Sequence, residues 1–171
     1  MKVKVLVALS LIIVSISCKK PQEDTTENKT DNTSKKITEK DLSNLDFIEF
    51  TLDAKTKKAV EDWQEYHQLE DVITNVKKGD LSFFSDNAES LKILIKDLLK
   101  NIPSEVNNNA TLARIVALET KLYKLESLSN LATTSKEELV MIIKEFLESF
   151  SNLNFQMNKK LEKDNNYIEK P

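Results

Sequence analysis

The side chains able to do chemistry are few and scattered. There is one cysteine, Cys18, and one histidine, His67. A lone thiol forms no internal disulfide and builds no thiolate zinc or iron–sulfur site, which need several sulfur ligands. A lone imidazole excludes paired-histidine metal centres. The carboxylate-bridged di-metal bundle needs two Glu-x-x-His pairs, and here Gln64 stands three residues before His67. A haem would find no second histidine, though Met141 and Met157 exist, and no Cys-x-x-Cys-His attachment site. The single glycine, Gly79, cannot furnish a phosphate-cradling loop. No catalytic residue, metal ligand or cofactor is therefore expected.

Four residues remain as candidates for ligand binding. Trp63, Tyr66 and His67 stand at i, i+3 and i+4, so on a helix they share one face. They could line a small aromatic pocket, or pack in the core or at its rim with polar tips outward. Arg114 is the only arginine in the sequence and lies in an Ala-rich, apolar stretch. Guanidinium suits paired, partly buried positions better than ammonium. It is expected to fork onto Glu61, Glu70 or Asp97, with anion binding as the other reading.

Cys18 has a telling context. Met1–Lys4 carries two lysines, and Val5 to Ile16 is apolar apart from Ser10 and Ser15. That run is far short of the roughly 20 apolar residues a spanning helix needs. It reads as a secretory signal ending in Ser15-Ile16-Ser17-Cys18. In these residues the chain resembles a bacterial lipoprotein precursor. The resemblance implies cleavage between Ser17 and Cys18 and acylation of Cys18, which would hold the protein to a membrane. Several acyl chains make such an anchor effectively permanent, since each buried CH₂ contributes about 0.8 kcal/mol.

Residues 19–40 are of another kind. Their only aliphatic side chain is Ile37, and most of the rest are charged, Thr, Asn, Ser or Gln. Such a stretch buries too little apolar surface to offset its conformational entropy. It reads as a flexible tether with an r.m.s. reach of roughly 25 Å. Gln22-Glu23-Asp24 resembles the acidic surface-display signal of Bacteroidetes lipoproteins, and Asp24-Thr25-Thr26 their O-glycosylation motif.

The elements that must position the candidates are helical. Helix one is expected over Ala54–Lys78, with Asp53 as N-cap and Gly79 as C-cap. Helix two is expected over Asn87–Asn101, opened by an Asp86/Glu89 capping box and stopped by Pro103. Helix three runs from Ser104 or Asn109 to Leu131. Helix four begins after Ser135, with Glu138 as its capping-box partner. Its apolar positions Leu139, Ile143, Phe146, Phe150, Leu153 and Met157 step by fours and threes, as in near-parallel helix packing. Phe47–Leu52 alternates as a strand would, yet has no partner strand; an extended lead-in or a helical turn fits better.

The expected architecture is thus all-α, an antiparallel up-down bundle of about four helices. The domain plan is a signal peptide (1–17), a lipid-anchored linker (18–41), the helical bundle (42–162) and a frayed tail (163–171). The net charge of −3 is spread over interspersed lysines and acids. No basic stripe marks nucleic acid as a partner. Trp63-Gln64-Glu65-Tyr66, Ile102-Pro103 and Ala113-Arg114 resemble segments of small all-helical Bacteroidetes lipoproteins, a resemblance that implies no activity. The expected function is a non-enzymatic interaction module in the bacterial cell envelope, on the outer membrane, facing the periplasm or the surface. Its partner would be an envelope protein or a second copy. A small-molecule-binding head using Trp63, Tyr66, His67 and Arg114 is the alternative.

Overall fold

Three of the described helices begin where the side chain of the preceding residue offers an unpaired N–H group an acceptor. In the computed structural model of the chain, residues 36–85 and 87–166 are described. The expected signal segment, Cys18, most of the expected linker and the end of the tail lie outside them. Among the described residues there are six helices and no strand. They are α1 (Glu39–Leu42), α2 (Ala54–Ala59), α3 (Gln64–Lys77), α4 (Ala88–Lys100), α5 (Asn109–Asn130) and α6 (Lys136–Asn165), with a 3-10 turn at Ser82–Phe84. Asp53 Oδ1 accepts from the Thr56 N–H at 2.7 Å, Asn108 Oδ1 from Thr111 at 2.9 Å, and Ser135 Oγ from Glu138 at 3.1 Å. Asp86, the expected cap of helix two, lies outside the described residues, and α4 starts after Asn87.

The fold is an all-α helical bundle. Four long helices, α3 to α6, enclose one core, and the two short ones lie ahead of them in the chain. α5 packs most extensively on α6, α4 packs on α3 and α5, and α1 and α2 both rest on α6. The periodicity sets which faces turn inward. Ile115, Leu118, Leu122 and Leu125 of α5 are fully buried, and so are Ile143, Phe146, Leu153 and Met157 of α6. α6 has 30 residues, so it spans about 45 Å at 1.5 Å per residue. No helix among the described residues is long and apolar enough to cross a membrane.

Three expectations need correction. Helix one is not continuous: it breaks between Ala59 and Gln64 into α2 and α3. Val60 leaves helical geometry at φ −106°, ψ 8°, and Trp63 at φ −87°, ψ 84°. The break lets the two halves choose different neighbours, α2 packing on α6 and α3 on α4. Val60, Asp62 and Trp63 are indifferent helix formers, so the local cost of breaking there is small. Second, order starts before residue 42. Ile37, the one aliphatic side chain in the polar run, is 4% exposed and belongs to the core. Third, the last helix continues through Asn165, past the expected tail boundary at 163.

Gly79 ends α3 as expected, at φ +80°. Its N–H donates to the Val76 carbonyl at 2.8 Å, and the Asp80 N–H to that of Asn75 at 3.0 Å. These two bonds satisfy the last carbonyls of the helix. The glycine is needed twice over: a Cβ there would lie 2.8 Å from the Ile37 carbonyl oxygen.

Candidate functional site

The stretch 47–53 is the extended lead-in, and its backbone is held by helix side chains in place of a partner strand. Ser151, Asn154 and Asn158 recur along α6 at three- and four-residue steps, which puts them on one stripe. Ser151 Oγ accepts from the Phe50 N–H at 2.7 Å and donates to the Ile48 carbonyl at 2.8 Å. Asn154 Nδ2 donates to the Phe50 carbonyl at 3.1 Å. Asn158 Nδ2 donates to the Thr51 carbonyl at 2.8 Å, and its Oδ1 accepts from the Asp53 N–H at 3.1 Å. Backbone polar groups withdrawn in part from water need partners, and here one helix supplies several of them.

The same stripe reaches the aromatic candidates. The Tyr66 ring stacks between Trp63, at a centroid distance of 5.5 Å, and Phe150 of α6, at 5.7 Å. Trp63 is 1% exposed and Tyr66 fully buried. The Tyr66 hydroxyl donates to Asn154 Oδ1, and its ionisation is pushed well above the usual phenol range, by burial first and by nearby Glu70 second. Trp63 Nε1 is buried without a hydrogen-bond partner among the described residues. These two rings are therefore core residues at the joint between α2 and α3, with no face open to a ligand.

His67 meets the edge of the Tyr66 ring at a centroid distance of 5.7 Å but is itself exposed at the surface. Its Nδ1 lies 2.8 Å from Glu70 Oε2 and its Nε2 3.1 Å from the Glu61 carbonyl oxygen. Both neighbours are acceptors, so only the doubly protonated ring satisfies both. The Glu70 hydrogen bond and, after it, the Glu61 carbonyl raise the imidazole's ionisation above its usual range, against partial burial. His67 thus ties the turn at Glu61 to the first turns of α3.

An open cleft of about 430 Å³ lies beside this tie. Leu52 of the lead-in and Val60 at the break form its apolar wall. Lys57, Lys58, Glu61, His67 and Glu70 form its rim. Of the four ligand-binding candidates only His67 lines it. Arg114 is exposed on α5, and among the described residues it makes no ion pair. The expected fork onto Glu61, Glu70 or Asp97 is absent. The inward stripe of Thr111, Ile115, Leu118 and Leu122 fixes the rotation of α5 and turns position 114 outward. The candidates are therefore split among the core, the cleft and the outer face of α5.

Sequence reasoning missed the Ser151/Asn154/Asn158 stripe and the cationic rim. The stripe carried a signal: three small polar residues at helical spacing beside Leu153 and Met157, next to the inward face. Lys57 and Lys58 carried none, since lysines close many helices. No group of three or more metal-ligating side chains occurs among the described residues. No family model matches the chain, and no curated protein or solved structure matches it significantly.

Proposed function

We propose that this protein is a lipid-anchored component of a bacterial cell envelope whose helical bundle serves as a non-enzymatic interaction module. Acylated Cys18 would hold it to a membrane, the outer membrane in this reading. The polar run before Ile37 would carry the bundle clear of the lipid headgroups. The observation that supports the reading is the distribution of side chains over the bundle. Trp63 and Tyr66 are spent on the core. Large apolar side chains stand exposed elsewhere, at Ile93 of α4, Val116 of α5 and Met141 of α6. Scattered exposed apolar residues are ordinary, but on three helices they offer contact area to an envelope protein or a neighbouring copy.

The test has two parts. Cells expressing the protein are fed radiolabelled palmitate, and the mature N-terminus is weighed. Label on the wild type and none on Cys18→Ser is the expected result; an unacylated, freely soluble product would sink the anchor. A photo-crosslinking residue at position 116 then reports contacts in intact cells. A discrete adduct, with an envelope protein or with a second copy, is expected. No adduct from 116, 93 or 141 would remove the interaction module.

A further inference from the structure

The geometry points to the cleft at the α2–α3 break as a binding site for a small aliphatic carboxylate. The site goes beyond the interaction-module reading and needs neither its anchor nor its partner. Its volume of about 430 Å³ falls within the roughly 300–1,000 Å³ of small-molecule sites. Its apolar wall is formed by Leu52 and Val60, 7% and 1% exposed, which come from segments on the two sides of α2. A short alkyl chain laid against that wall would lose part of its contact with water.

The rim selects the charge of the head. Lys57 and Lys58 both line the cleft, and among the described residues neither makes an ion pair. Glu70 is engaged by His67, so its charge is already answered. Glu61 gives its carbonyl to His67, and its carboxylate is the remaining anion on the rim. Two free ammonium groups against one free carboxylate leave an excess of positive charge. An anionic head gains charge-assisted hydrogen bonds from the lysines, and an ammonium head meets repulsion. The apolar wall in turn favours an acid with a hydrocarbon body over a bare inorganic anion. One side is open to solvent, so exchange is fast and Kd on the order of 1 mM suits the site.

Full-length protein in lipid nanodiscs, labelled at Leu and Val methyls, is titrated with hexanoate, hexylamine, hexanol and inorganic phosphate. Saturable shifts of the Leu52 and Val60 methyls with hexanoate are expected, with much weaker effects from the other three. The K57Q/K58Q double variant should weaken hexanoate binding by roughly tenfold. Its thermal melt, unchanged, shows that the fold survives. Equal shifts from hexylamine or hexanol, tighter binding of phosphate, no saturable shift, or undiminished hexanoate binding by a folded K57Q/K58Q would each overturn the assignment.

Discussion

The Tyr66 hydroxyl donates to Asn154 Oδ1 at 2.9 Å, across 88 residues of sequence. Asn154 passes the link on, since its Nδ2 holds the Phe50 carbonyl. One amide therefore joins α3, α6 and the lead-in. Asn154→Ala should orphan two polar groups at about 1–3 kcal/mol each, whereas Tyr66→Phe leaves only one acceptor short. Denaturant melts of both single variants and the double variant test this. A coupling of about 0.5–3 kcal/mol is expected. Strictly additive losses would mean that the two side chains act independently.

Gly79→Ala should be far worse than a surface substitution. The residue sits at φ +80°, and the new methyl would press on the Ile37 carbonyl. A left-handed non-glycine costs roughly 1–3 kcal/mol before any clash. Hydrogen exchange would show where the damage falls: faster exchange at the end of α3 and at Ile37, and little change in α5.

Thr111→Val should stabilise the protein. Thr111 is fully buried, and its hydroxyl has no hydrogen-bond partner among the described residues. Replacing an unsatisfied buried hydroxyl with a methyl of similar shape removes a desolvation cost of about 1–3 kcal/mol. A rise in the denaturation midpoint with an unchanged slope is the expected readout; a fall would mean that the hydroxyl is satisfied in solution.

Stability should fall at both ends of the pH range, for opposite reasons. His67 in the fold is protonated more readily than an ordinary imidazole of 6.5, chiefly because of its bond to Glu70. Its contribution is complete below that ordinary value and is lost as pH rises through the raised one. Asp41 is held at about 2 by hydrogen bonds from Thr38 and then by Lys136. Its contribution is present above the ordinary 3.8 and is lost as pH falls towards about 2. His67→Ala should flatten only the alkaline limb and Asp41→Asn only the acid one. Proton NMR of the imidazole would report the raised value directly.

Much of the bundle could be read from local rules. Caps at Asp53 and Ser135, the stop at Gly79 and the spacing from Leu139 to Met157 are short-range signals, and they marked boundaries and inward faces. The break at Val60–Trp63 carried none, because no Gly or Pro stands there and the choice is made by what α2 and α3 pack against. The order at Ile37 was hidden because a lone apolar residue in a polar run cannot announce its own pocket. The candidate residues fared by the same logic. Trp63, Tyr66 and His67 do lie together at the start of α3, but the rotation of the helix and the break before it, both tertiary properties, send two inward and one out. Arg114 was misjudged for a similar reason.

The stripe of Ser151, Asn154 and Asn158 bears on how copies of the protein can sit side by side. An extended segment ordinarily advertises a row of free amides and carbonyls on which another molecule can add itself. Here five of those groups, at Ile48, Phe50, Thr51 and Asp53, are held by side chains of the same molecule. A neighbouring copy that added itself along this segment would have to displace those side chains, which leaves the outer surfaces of the helices as the easier ground for contact.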